Sequence, residues 1–154
     1  LFLHAGETDW EDSTNAHYAI LLNCTRIGHG LQIAHRPTLV SLVKEKRICI
    51  ELCPVSNQIL GYSDDLRVHP GAAFALNNVA FSLSPDDPGI FGYFGVTHDW
   101  YEAVMAWDLD LRAVKQIAMD SIDGSGLPDE ERKIVFAKWA SAWDEWVQQL
   151  ATVR

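Results

Sequence analysis

The segment ICIELCP, residues 48–54, decides the fold because its apolar pattern returns elsewhere at regular spacing. The segment is rich in β-branched and other apolar residues and a proline ends it, which is typical of a buried strand. Three further segments are predicted as strands: LFLH (1–4), TRIGH (25–29) and VAFSLS (79–84). The starts recur every ~25 to 30 residues, the length of one β/α unit. The spacing therefore predicts parallel strands joined by crossover helices.

Helical patterns fill the intervals and the C-terminal third of the chain. The predicted helices cover 13–22, a segment opened by Pro37, 70–76, 97–107 with Thr97 as its N-cap, 111–122 and a long segment opened by Pro128. Ser56 and Asn57 are expected in a loop after the third strand. On the long helix, apolar residues recur at three- or four-residue steps: Phe136, Trp139, Trp143, Trp146 and Leu150. Such a stripe is typical of a packing face.

Four β/α units amount to half of a closed eight-fold barrel, which needs ~250 residues. A small open sheet and the back half of a barrel are both compatible with the pattern. The chain opens directly on a strand, and this favours the barrel whose front half is missing. The predicted fold is therefore α/β: the C-terminal half of a (β/α)8 TIM-type barrel of the metal-dependent hydrolase type, followed by C-terminal helices.

The composition narrows the classes of partner. A formal charge of −9 disfavours a nucleic-acid backbone or an anionic membrane surface as the main partner. No apolar run is long enough to span a bilayer. The three cysteines Cys24, Cys49 and Cys53 suit buried small residues better than a disulfide framework. The sequon that starts at Asn23 matters only if the protein is secreted.

Polar residues collect where three of the four strands end. His4 closes the first strand, His29 closes the second, and Asp86 with Asp87 follows the fourth. Catalytic residues of β/α barrels lie at this end of the strands. Each residue alone could be an ordinary turn histidine or part of a solvent-exposed acidic turn. The fold itself, however, does not require these residues to cluster at one end of the strands. The other histidines are expected at the surface: His17, His35, His69 and His98.

Glu7 is expected to share a cavity with His4. An uninterrupted strand would direct the two side chains to opposite faces, but Gly6 allows the backbone to turn. Imidazole and carboxylate together suit zinc. Catalytic zinc takes three or four protein ligands, and this chain offers two convincing ones. The metal site is thus expected to be incomplete, consistent with a missing front half.

Several motifs in order carry a family resemblance. They are HAGET (4–8), RIGHG (26–30), ELCPVSNQIL (51–60), DLRVHP (65–70), SPDDP (84–88), HDWYEAVMAW (98–107) and VKQIAMDSI (114–122). The chain resembles the adenosine deaminase family, and more narrowly its secreted branch of adenosine deaminase-related growth factors. The resemblance runs over nearly the full length of the chain.

The resemblance implies barrel strands five to eight and a role for each polar residue. It makes His4 and Asp86 zinc ligands, with two further histidine ligands expected upstream of this chain. Glu7 becomes the acid that protonates the purine ring nitrogen beside the reacting carbon. His29 becomes the general base or the electrostatic partner of the attacking hydroxide. Asp87 becomes a substrate-binding residue that also orients the hydroxide.

The resemblance further implies zinc-dependent hydrolysis of adenosine and 2′-deoxyadenosine to the inosine nucleoside and ammonia by the intact protein. It implies a small nucleoside as partner, extracellular localisation, and a homodimer formed through segments not present here. The isolated chain is expected to be inactive and to associate through unpaired strand edges. A non-catalytic, growth-factor-like relative and a related purine or AMP deaminase remain alternatives. The family usually has serine at the position of Pro85, and proline here is expected to weaken activity if it shifts Asp86.

Overall fold

A computed structural model describes residues 1–8 and 13–152 of the chain. The chain divides into two compact units, residues 1–124 and residues 125–154. The first unit contains the sheet and all of the candidate site residues, whereas the second contains one long helix.

The described residues of the first unit form one parallel sheet of four strands. These are β1 (Phe2–Ala5), β2 (Arg26–His29), β3 (Cys49–Leu52) and β4 (Phe81–Leu83), and they lie side by side in chain order. All three strand pairs are parallel. The prediction of successive parallel strands joined by crossovers is therefore confirmed.

Helices follow every strand. They are α1 (Asn15–Leu21), α2 (Pro37–Lys46), α3 (Pro54–Ile59), α4 (Pro70–Leu76), α5 (Pro88–Phe91), α6 (Thr97–Ala106), α7 (Leu111–Asp123) and, in the second unit, α8 (Asp129–Thr152). Short 3-10 helices cover Leu31–His35 and Leu66–Val68. Four of the described helices begin at a proline, whose fixed φ suits the first helical position and whose missing N–H costs nothing there.

Two local predictions were wrong. Ser56 and Asn57 lie inside α3 and not in a loop, because Pro54 starts a short helix directly after β3. Thr97 is the first residue of α6 and not its N-cap, which is Val96. Both errors concern where a helix begins, and neither changes the order of the elements.

The sheet has an apolar face and a polar face. Leu3, Ile27, Ile50 and Phe81 form one continuous row across the four strands, and Ile27 and Ile50 are fully buried in the core. The next row belongs to the opposite face because side chains alternate along a strand. It consists of His4, Gly28, Glu51 and Ser82. The register thus separates a core against the helices from a polar face that carries His4.

The second unit is described by its own helix. Four aromatic residues contact one another in sequence along α8: Phe136, Trp139, Trp143 and Trp146, with ring centroids 5.6, 5.7 and 5.1 Å apart. The predicted periodicity is confirmed, and the role of this stripe as a packing face stays a prediction. None of the helices in the described part of the chain has the length and hydropathy needed to cross a membrane.

Candidate active site

His29 lies at the centre of the candidate site, at the C-terminal end of β2. Its φ is +63°, and the N–H of Gly30 donates to the carbonyl of Gly28 at 2.9 Å, which closes a tight turn around the histidine. An extended residue here would direct its side chain to the core side, like Ile27 two residues earlier. The left-handed conformation breaks that alternation. Such strain at a non-glycine residue is typical of functional sites.

The predicted site residues converge on this imidazole. His29 is only 2% exposed. The ring of His4 lies with its centroid 5.3 Å from that of His29, and Glu7 Oε1 lies 3.6 Å from His29 Nε2. One ligand-type atom each of His29, Cys53 and Asp86 lies within 4.8 Å of the other two. The expected clustering of strand-end residues is therefore observed for His4, Glu7, His29 and Asp86.

Gly6 provides the turn that the sequence predicts between His4 and Glu7, and both side chains lie near His29. Its φ is +68°, a conformation that glycine adopts without strain. Its N–H donates to Asn15 Oδ1 at 2.9 Å, and its carbonyl accepts from the Gln32 N–H at 2.9 Å. These bonds hold the turn between the two side chains.

Asp86 is partly accessible, and hydrogen bonds are made both by its carboxylate and by the carbonyl of the residue before it. The Ser56 hydroxyl donates to Asp86 Oδ2 at 2.7 Å. The residue has φ +56°, and the carbonyl of the preceding Pro85 accepts from the Tyr93 hydroxyl at 2.8 Å. Asp87 is exposed and lies at the start of α5. The two acids therefore have different environments, and only Asp86 belongs to the cluster around His29.

Tyr93 and Asp99 join the loop after β4 to the helices beside it. The Tyr93 hydroxyl lies 3.2 Å from Asp99 Oδ2, and the Val55 N–H donates to Asp99 Oδ1 at 3.2 Å. Asp99 is fully buried, and this burial raises the pKa of its carboxyl. The network fixes the loop that carries Asp86 against the N-terminus of α3.

His69 was wrongly predicted to be a surface residue. It is 1% exposed and stacks on Trp107 with ring centroids 5.4 Å apart. The Gly71 N–H donates to His69 Nδ1 at 2.9 Å, and His69 Nε2 lies 3.1 Å from Asn57 Oδ1. Asn57 Nδ2 in turn lies 3.3 Å from His29 Nδ1. A series of buried hydrogen-bonding groups thus connects the start of α4 to His29.

The donor set around His29 fits a zinc ion. Imidazole nitrogen and carboxylate oxygen are both common zinc ligands. Burial is the main factor that raises the pKa of the Cys53 thiol, and nearby carboxylates including Asp86 raise it further. Cys53 is buried, as the sequence predicts, and this pKa favours a neutral thiol. Imidazole nitrogen and the Asp86 carboxylate therefore suit a metal ion at this site better than the neutral thiol.

Several residues of the site were not anticipated from the sequence. Ser56, Asn57 and Tyr93 support Asp86 or His29, and Cys53 lies inside the cluster. The sequence contains one indication for Cys53, Ser56 and Asn57. The segment CPVSN directly follows a strand, at the end of the sheet where strand-end residues meet.

The parallel strands with crossover helices, and the polar cluster at their carboxyl ends, are typical of the β/α-barrel class. The family model for adenosine deaminase matches residues 1–141. The chain belongs to the adenosine deaminase family, as its motifs indicate.

Named relatives agree with the family. The chain is 41% identical over 150 residues to adenosine deaminase 2 of Dictyostelium discoideum, covering 97% of this chain and 28% of that protein. It is 40% identical to adenosine deaminase 2 of Homo sapiens, covering 98% of this chain and 31% of that protein. The chain therefore spans about three-tenths of the length of these relatives.

A solved structure supports the fold. An amidohydrolase from Burkholderia ambifaria, solved with bound Zn, superimposes with a TM-score of 0.81 at 24% identity. The match covers 97% of this chain and 42% of that structure. The α/β barrel-fragment prediction is confirmed.

Proposed function

We propose that residues 1–154 are the C-terminal part, strands five to eight, of one adenosine deaminase barrel. The intact protein converts adenosine and 2′-deoxyadenosine to inosine and 2′-deoxyinosine with release of ammonia. The observation that carries this proposal is the convergence of His4, Glu7 and Asp86 on the buried His29. A titratable cluster at the carboxyl ends of parallel strands is the arrangement that barrel enzymes use for catalysis.

Zinc is the metal that we propose for this site. His4 and Asp86 would hold it, together with two histidines from outside this chain. When bound, zinc lowers the pKa of a coordinated water to about 7 and so makes hydroxide available at neutral pH. The support is the imidazole and carboxylate donor set beside His29.

Glu7 is the proposed proton donor. Its side chain is 28% exposed and lies beside His29, so it can face a ligand while it remains part of the cluster. Attack at the amino-bearing carbon disrupts the aromatic purine ring. A proton passed from the Glu7 carboxyl to the adjacent ring nitrogen offsets that cost. Water and adenosine are consumed, and inosine and ammonia are formed.

Asp87 and Glu7 are the proposed substrate-binding residues. Asp87 is exposed at the start of α5, directly after Asp86, so its carboxylate can reach a bound nucleoside. A cavity of about 340 Å³ opens beside Glu7 and is also lined by Gln32 and Tyr62. We propose that the nucleoside lies between Asp87 and the cavity beside Glu7.

We also propose that the protein is secreted and can dimerise through segments outside this chain. The growth-factor branch that the motifs resemble supports secretion. Asn23 of the sequon is exposed after α1, as an oligosaccharide acceptor must be. A mass shift of the secreted protein on glycosidase treatment, absent in Asn23→Gln, tests the use of this site.

A substrate panel separates the proposal from its alternatives. The full-length protein, loaded with zinc, is incubated with adenosine, 2′-deoxyadenosine, AMP and adenine, and ammonia release is measured. We expect turnover of the two nucleosides and a zinc-to-protein ratio of about one. Preferential turnover of AMP or adenine would assign a related deaminase. Protein without zinc and without turnover would be the non-catalytic relative.

A further inference from the structure

The proton on His69 can be located from a backbone donor. The Gly71 N–H can only donate, so His69 Nδ1, 2.9 Å away, must accept through its lone pair. Burial lowers the pKa of His69 to about 4, which leaves the ring neutral at neutral pH. The single ring proton therefore lies on Nε2, the nitrogen that faces Asn57.

The amide of Asn57 is oriented by this proton. His69 Nε2–H donates to Asn57 Oδ1 across 3.1 Å, which directs the amide nitrogen to the other side. Asn57 Nδ2 then donates to His29 Nδ1 across 3.3 Å. Asn57 is fully buried and the two histidines are at most 2% exposed, so bulk water cannot readily replace either partner.

We propose that His69 and Asn57 are positioning residues that hold His29 in the tautomer with its proton on Nε2, directed toward Glu7. His29 Nδ1 is occupied as an acceptor, and Nε2 is the nitrogen that lies 3.6 Å from Glu7 Oε1. The donor and acceptor in each of these hydrogen bonds follow from the Gly71 N–H, which can only donate.

This tautomer selects between the two roles that the family resemblance leaves open for His29. A ring with its proton on Nε2 presents a donor to the cavity, so it can stabilise an attacking hydroxide or a developing oxyanion by a hydrogen bond. It cannot accept the proton of the attacking water at that same nitrogen. The catalytic meaning rests on the proposed function, whereas the proton placement rests on the contacts alone.

The first test needs no substitution. The full-length protein is labelled with 15N-histidine, and two-bond 1H–15N correlations distinguish the two neutral tautomers of each ring. His29→Gln, prepared only for assignment, identifies the His29 signals by their loss. We expect the pattern of a ring protonated at Nε2. A His29 ring protonated at Nδ1 in the native protein overturns the proposal.

The second test reverses the hydrogen bond. Asn57→Asp keeps the shape of the side chain but replaces the donor that faces His29 with an acceptor. We expect the His29 proton to move to Nδ1 and kcat to fall by about 100-fold, as expected when the partner of a catalytic histidine is lost, with KM changed less than about threefold. His69→Gln retains an N–H donor toward Asn57 and is expected to keep kcat within about tenfold.

Asn77→Asp is the matched control, because Asn77 is exposed and its amide donates to the Ala73 carbonyl of its own helix. We expect native kcat for this variant. A folded Asn57→Asp protein with native kcat overturns the proposed role, and so does a loss in Asn77→Asp equal to that in Asn57→Asp. If Asn57→Asp does not fold, the 1H–15N spectrum of the native protein alone tests the proton placement on His29. Protein with the Nε2 tautomer but no turnover of adenosine supports the proton placement and refutes the proposed function.

Discussion

Gly28 lies opposite His4 in the register of β1 and β2, and the His4 imidazole occupies the space that a side chain would take. A Cβ at Gly28 would lie 2.9 Å from His4 Cδ2 and 3.2 Å from His4 Cγ. Glycine at position 28 therefore leaves free the space that the His4 ring occupies.

Gly28→Ala is expected to displace His4 and to lower the zinc affinity of the full-length protein by about 10- to 100-fold. Competition with a chromogenic chelator measures this affinity, and kcat should fall in parallel. Gly89→Ala is the control, because a Cβ at Gly89 meets nothing within 4 Å. Equal zinc affinity in the two variants would contradict the assignment of His4 as a ligand.

The hydrogen bond from Ser56 to Asp86 supports a second prediction. Ser56→Ala removes the hydroxyl that donates to Asp86 Oδ2 at 2.7 Å. We expect zinc affinity to fall by about tenfold, because the carboxylate loses the group that orients it. Ser41→Ala removes an exposed hydroxyl that donates to the Pro37 carbonyl, and it should leave the affinity unchanged. Native zinc affinity in Ser56→Ala would show that Asp86 does not need this bond.

Three of the four strands could be predicted because each is a short run rich in apolar residues that ends in turn or polar residues. The second, Arg26–His29, has few apolar residues and was predicted from its spacing to the others. The site could be predicted in outline because parallel strands deliver their C-terminal residues to one edge. For this reason the positions of His4, His29 and Asp86 along the chain are enough to predict that the three residues cluster. The regular β/α spacing therefore predicts both the order of the strands and the clustering of their terminal residues.

The supporting residues could not be predicted because they depend on distant contacts. His69 precedes a proline at a helix start and is compatible with an exposed cap. Its burial results from Trp107, which stacks on the ring and donates to the Leu66 carbonyl at 2.8 Å. Such a contact, formed across a long stretch of chain, leaves no local signal. Likewise, the Ser-Asn pair in α3 is typical of turns, and only Pro54 indicated a helix.

His69 should make stability depend on pH. Its folded pKa, about 4, lies below the ordinary value of about 6.5. The unfolded chain therefore binds the proton more readily, and stability falls as the pH decreases from about 6.5 toward 4. The full shift corresponds to about 3 kcal/mol.

The measurement is the difference in free energy of unfolding between the native protein and His69→Gln, followed from pH 7 to pH 4. The difference cancels most other titrating groups. We expect the advantage of the native protein to shrink continuously below about pH 6.5. A difference that stays constant over this range would mean that His69 titrates normally in the folded protein.

Pro85 is expected to be nearly neutral for catalysis, in contrast to the weakening that the sequence suggested. The Asp86 carboxylate is held by Ser56, and the carbonyl of Pro85 is held by Tyr93. Neither bond uses the side chain or the amide of residue 85. Pro85→Ser should therefore change kcat/KM by less than about threefold. A gain well above that would show that proline displaces Asp86.

The most direct test of the proposed activity compares the native full-length protein with Glu7→Gln in a continuous assay of adenosine conversion to inosine. Both proteins are loaded with zinc, and their metal content is measured. We predict turnover by the native protein, loss of turnover in Glu7→Gln, and equal zinc content, because in the proposed mechanism Glu7 supplies a proton and does not bind the metal. A zinc-loaded native protein that leaves adenosine unchanged would contradict the central claim.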